Sequence, residues 1–135
     1  MNYWLCKSDP EEYDWAELVK DKKTNWAGVR NYAARNHMRA MKKGDEILFY
    51  HSGKESAVVG IAKVTREAFQ DPTTDEDAWI AIEFAPVKAL KKAVPLSAIK
   101  TEKDLKNMVL LKISRLSVQP VTEAEYDKVV ELGNR

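Results

Sequence analysis

Between Glu46 and Leu90 the sequence is almost all strand-forming: Glu46–Ser52, Ala57–Phe69 and Ala78–Leu90 carry the β-branched and aromatic residues. Only Ser52-Gly53-Lys54 and Asp71-Pro72-Thr73-Thr74-Asp75 separate them, both turn-prone. Gly60 interrupts the second stretch and predicts a bulge or a tight bend. Tyr3–Lys7 adds a short strand with apolar residues on both faces, hence a central one, and Met108–Ile113 a further strand. About five short, twisted strands in a chain of 135 residues curl toward a barrel or half-barrel.

Helices flank this sheet. Asp9-Pro10-Glu11-Glu12 reads as a helix start, with Asp9 as cap and Pro10 at the first turn, running to about Val19 with Tyr13, Trp15 and Leu18 inward. Lys20–Gly28 reads as a polar, basic loop carrying Trp26. Asn31 caps a second helix, Tyr32–Met41, stopped by Gly44. Ala34, Met38 and Met41 form its apolar stripe, beside a basic stripe of Arg35, Arg39 and Lys42. Short helical turns are predicted around Leu96, Ile99 and Leu105. Thr122-Glu123-Ala124-Glu125 is a capping box for a last helix that stops at Gly133. No repeat or linker divides the chain, so residues 1–135 are expected to form one α+β domain.

Composition removes several classes. With 44% hydrophobic residues and a net charge of +1 the chain is not a disordered one. Cys6 is the single cysteine, so no disulfide forms within the chain. No apolar run is long enough for a membrane span, and Met1 leads directly into a strand pattern rather than a leader; a cytoplasmic monomer is the expectation. His37, His51 and Cys6 share no i, i+3 or i, i+4 spacing, so no metal is expected, and the scattered glycines form no phosphate loop. His51 and Ser52 are adjacent on a strand and point to opposite faces, which argues against a nucleophile–base pair. The predicted protein is not an enzyme and needs no cofactor. Charge is unevenly spread. Lys20–Lys43 holds eight basic residues against one acid, and Arg66–Glu83 holds six acids against one Arg. Such a field steers an anionic partner.

Trp26-Ala27-Gly28-Val29-Arg30-Asn31-Tyr32-Ala33-Ala34-Arg35-Asn36 concentrates what a nucleobase pocket needs. Trp26 or Tyr32 can stack on a base. Asn31 and Asn36 can read a base edge, and Arg30 and Arg35 can hold phosphate or a carbonyl. Gly28 lets the backbone approach a ligand closely. Each residue also has a plainer use: Trp26 as core, Asn31 as helix cap, the arginines as partners of surface acids.

These residues, together with Tyr3-Trp4-Leu5-Cys6-Lys7-Ser8-Asp9-Pro10, Gly44-Asp45, Phe49-Tyr50-His51-Ser52 and Arg115–Thr122, resemble the EVE domain, a family that includes the thymocyte nuclear protein 1 group. The resemblance implies a PUA-like pseudobarrel with flanking helices, akin to YTH domains, and a pocket for a modified base of DNA or RNA such as a modified cytosine. It places Lys7, Ser8, Trp26, Gly28, Val29, Arg30, Asn31, Tyr32, Arg35, Asn36, Tyr50, Ser52 and Ser117 at the ligand. Cys6 and Asp9 stand where the family commonly has Met and Glu, and Asp71–Trp79 is shorter than in many relatives. The expected role is a non-catalytic module binding nucleic acid, with no membrane partner. The alternatives are an enzyme or sensor for a small nucleotide-like metabolite, or a protein-interaction module.

Overall fold

The computed structural model describes residues 1–135. In chain order the elements are β1 Tyr3–Ser8, α1 Trp15–Asp21, β2 Thr24–Trp26, α2 Tyr32–Ala40, β3 Glu46–His51, β4 Ala57–Gln70 and β5 Ile80–Pro95. Then follow α3 Leu96–Thr101, a 3-10 turn at Lys103–Leu105, α4 Val109–Lys112, β6 Val118–Val121 and α5 Glu123–Gly133. The strands form one mixed sheet in the order β2-β5-β4-β3-β1-β6. β1 is central, as its two apolar faces require, pairing parallel to β3 and antiparallel to β6.

Both faces of the sheet are covered. On one, Trp4, Cys6, Phe49, Val64 and Phe84 meet Leu18 of α1 and Ala34 and Met38 of α2; on the other, Leu5, Leu48, Tyr50 and Val94 meet Ile99, Leu110 and α5 residues Tyr126 and Val129. Four register shifts between β4 and β5, one of them between Val58 and Gly60, let these long strands bend. The result is a curled sheet. β2 and β3 stand three places apart in the order, about 14 Å in a flat sheet. Yet the Trp26 ring of β2 lies 6.2 Å from the Phe49 ring of β3, and Phe84 of β5 touches both. The half-barrel expected from strand length is present, and α2 runs where Asn31 and the apolar stripe predict it.

Four expectations are corrected. Asp9–Glu12 is a turn rather than a helix start: α1 begins at Trp15, where Asp14 and Glu17 make the capping box. The Lys20–Gly28 stretch is not all loop, because Thr24–Trp26 pairs antiparallel with β5. Met108–Ile113 is not a strand: Val109–Lys112 is a short helix that buries Leu110, and the strand in that region is β6. The third long strand runs on from Leu90 to Pro95.

Candidate nucleic-acid interface

Curling brings the C-terminal end of β1 toward the edge strand β2 and leaves a cavity of about 310 Å³ between them. Lys7, Ser8 and Asp9 form one wall, Glu12 and Tyr13 the turn beyond it, and Thr24, Asn25, Trp26 and Ala27 the opposite wall. Trp26 is half-buried. It packs edge-on against Phe49 and Tyr13, and its remaining surface faces this hollow.

The polar groups here are held by the fold. Ser8 Oγ donates to the Tyr13 carbonyl, which ties the turn to β1. Tyr13 donates its hydroxyl proton to Asp21 at 2.9 Å, fixing the ring against α1, and burial pushes its pKa up. Lys7 borders the hollow, but its ammonium lies on the Tyr50 side of the sheet, 5.9 Å from that ring, where it donates to the Ser114 carbonyl at 2.6 Å and burial pulls its pKa down. Carboxylates of Asp9 and Glu12 add acceptors to the same wall.

The Trp26–Asn36 segment divides into two parts. Trp26 lines the cavity, whereas the following loop is clamped to the β4–β5 connection. Asp71, fully buried, accepts from the Gly28 N–H at 2.8 Å and from Arg30 at 3.0 Å. Burial alone would raise the Asp71 pKa; its bonds to Thr73, Gly28 and Arg30 outweigh that and hold it far below the ordinary carboxylate range. Gly28 sits at φ +77°, a conformation that side-chain-bearing residues rarely take. Val29 packs on the core, and Asn31 spends its side-chain oxygen capping α2 on the Ala34 N–H. Asn36 accepts from Arg35, and Arg35 also reaches the Ala78 carbonyl. Tyr32 lies on Trp79 at 5.0 Å. None of Gly28–Asn36 lines the cavity.

The other site candidates are farther back. Tyr50 does not face the hollow: it is buried among α3–α5 residues, because strand alternation sends it with Leu48 to that side. Ser52 bonds the Ser8 carbonyl through its N–H at 2.9 Å and borders a neighbouring depression. Ser117 contributes its carbonyl, which accepts from the Lys7 N–H at 2.8 Å. His51 accepts the Trp15 N–H on Nε2 at 3.0 Å and so anchors the start of α1. Asp9, Glu12, Tyr13, Thr24, Asn25 and Ala27 were missed as lining residues; the signal for them was the exposed Asn25 beside Trp26, read as loop rather than as an edge strand.

A larger hollow of about 480 Å³ opens between the β3–β4 turn and α3, but no Trp, Tyr or Phe lines it. A flat ring beside carboxylates and hydroxyls lies at the mouth of the curled mixed sheet, and Trp26 is the one Trp lining the cavity there. The model of the EVE domain family matches residues 2–132, and the chain belongs to that family. Human thymocyte nuclear protein 1 is 38% identical over 99% of this chain and 75% of its own length. That alignment runs over 168 residues, so the relative carries extra segments. The protein Atu2648 from Agrobacterium tumefaciens superposes with a TM-score of 0.96 at 41% identity, covering 98% of this chain and 93% of that one. The human THYN1 protein, solved in complex with 5-methylcytosine-containing DNA, superposes at 0.91 with 36% identity, covering 100% and 99%. A Zygosaccharomyces rouxii YTH domain, at 12% identity and 0.64, shares the fold alone, over 99% of this chain and 87% of its own.

Proposed function

We propose that this chain captures a modified nucleobase of DNA or RNA in the Trp26 cavity, by binding without bond-making. The observation that carries this reading is the half-buried indole forming one wall of a hollow that Ser8, Asp9 and Glu12 also border. A base turned out of its stack costs a few kcal/mol, and stacking on Trp26 with hydrogen bonds at the base edge offsets that. Asp9 and Glu12 favour a base that presents an amino group, as cytosine does, over one that presents a carbonyl there. A methyl or similar group on the ring adds selectivity by filling space the bare base leaves empty, worth about 1–3 kcal/mol. The relative's complex with 5-methylcytosine-containing DNA supports the same chemistry.

The test is a titration of fluorescent single-stranded oligonucleotides carrying one 5-methylcytosine, one cytosine or one thymine. The methylated strand is expected to bind roughly 5- to 100-fold more tightly than the unmethylated one, and Trp26→Phe to weaken it while leaving the thymine strand little changed. Equal affinity for all three strands removes the proposal.

A further inference from the structure

Outside the cavity the molecule carries a second aromatic surface, and its occupant is a deeper question about the same partner. Tyr32, at the first turn of α2, is 61% exposed, and no other Tyr, Trp or Phe of the chain is a large exposed side chain. Its ring does not float. One face rests on Trp79, which is 8% exposed and donates its indole N–H to Glu76 at 3.0 Å. Arg35, pinned by Ala78 and Asn36, has its guanidinium 4.9 Å from the Tyr32 ring and 5.9 Å from that of Trp79. With the two rings 5.0 Å apart, the three centres form a compact triangle. A guanidinium on the far side of Tyr32 would stand nearly twice as far from Trp79. Arg35 therefore lies beside the ring pair, and the outer face of Tyr32 is open.

Resting on the capture reading, we propose that this open face of Tyr32, with Arg35 at its edge, stacks on the nucleotide adjoining the captured base. Three observations select a polynucleotide strand as the occupant. Exposed Arg39 follows Arg35 one turn along the same face of α2, giving phosphate a basic track. The exposed acids Asp75, Glu76 and Asp77 bound the surface on the Trp79 side and keep a phosphate backbone on the α2 side. Finally, Ala27 at the cavity and Tyr32 are five positions apart in the chain, at most about 18 Å, a reach of a few nucleotides. The clamp through Asp71 holds the intervening loop, so the two stacking sites keep one spacing. Immobilising the ring before binding lowers the entropy cost of stacking on it.

The experiment measures affinity of wild type, Tyr32→Ala, Tyr32→Phe and Arg35→Gln for a single-stranded nonamer with one central 5-methylcytosine and for the same nonamer with cytosine. Chemical shifts of the Trp79 indole N–H are followed in the same titrations. Tyr32→Ala is expected to weaken both nonamers about 5- to 100-fold and to leave their affinity ratio unchanged. Tyr32→Phe restores binding, which a lost hydroxyl contact would not allow, and the Trp79 signal moves with either nonamer. Affinities for Tyr32→Ala within twofold of wild type, with a still Trp79 signal, overturn the proposal and leave the ring to another occupant such as a protein. If wild type does not distinguish the nonamers but Tyr32→Ala weakens both, the capture reading fails and the stacking surface stands.

Discussion

Single residues in this protein are often fixed by one close neighbour. An atom added at the Cβ position of Gly60 would lie 2.6 Å from the Trp15 ring, so the glycine is required for α1 to pack on β4. Gly60→Ala is expected to destabilise the fold by about 1–3 kcal/mol, read as a lower midpoint in denaturant titration with an unchanged slope. His51 gives a pH signature. Its Nε2 accepts from Trp15 only when unprotonated, and burial lowers its pKa below the ordinary 6.5, with Asp14 opposing. The unfolded chain then binds the extra proton first, so this contribution to stability is present above 6.5 and lost as pH falls through the lowered folded value. His37, also lowered by burial, acts in the same direction. Chemical denaturation between pH 7.5 and 5 should show falling stability for wild type and a shallower fall for His51→Gln, whose side-chain oxygen can still accept the Trp15 N–H.

At the level of elements, the loop between β2 and α2 is positioned from a distance by Asp71. Removing that charge leaves the Gly28 N–H and Arg30 without their acceptor. Asp71→Ala is expected to cost about 1–3 kcal/mol and to raise amide exchange across the Ala27–Asn31 loop before any strand of the sheet, measured by hydrogen exchange. This clamp also explains what could and could not be read from residue order. Helices α2 and α5 were legible because each announces itself locally, by the Asn31 cap over an apolar stripe and by the Thr122–Glu125 box. β1 was legible because an apolar strand on both faces has few places to go. β2 was not: three residues carry no periodicity, and pairing with β5 alone makes them a strand. α1 was misplaced at its start because Asp9 and Asp14 both offer capping chemistry, and only the turn closed by the Asp9 carbonyl on Glu12 and Tyr13 decides between them. Trp26 was singled out by its own chemistry, and it lines the cavity. The acceptors facing it were not, since Asp9 and Glu12 reach the cavity only once the sheet has curled.

For the whole molecule, charge placement matters more than net charge. A chain at +1 has little overall pull on nucleic acid, yet its basic residues cluster around α2 and the acids elsewhere. Oligonucleotide affinity should therefore fall with added salt with a shallow slope, each phosphate held contributing a little under one unit of the logarithmic slope. Arg39→Gln should flatten that slope measurably, and titrations from 50 to 300 mM salt read it directly. The pairing of β1 parallel to β3 and antiparallel to β6 has a consequence for biosynthesis. During synthesis β1 finds one lateral partner only after residue 46 has emerged and the other only after residue 118. Until then its apolar flanks are bare, so nascent chains of this protein should rely on holding factors near the exit tunnel, and sheet closure should come as a late, single event.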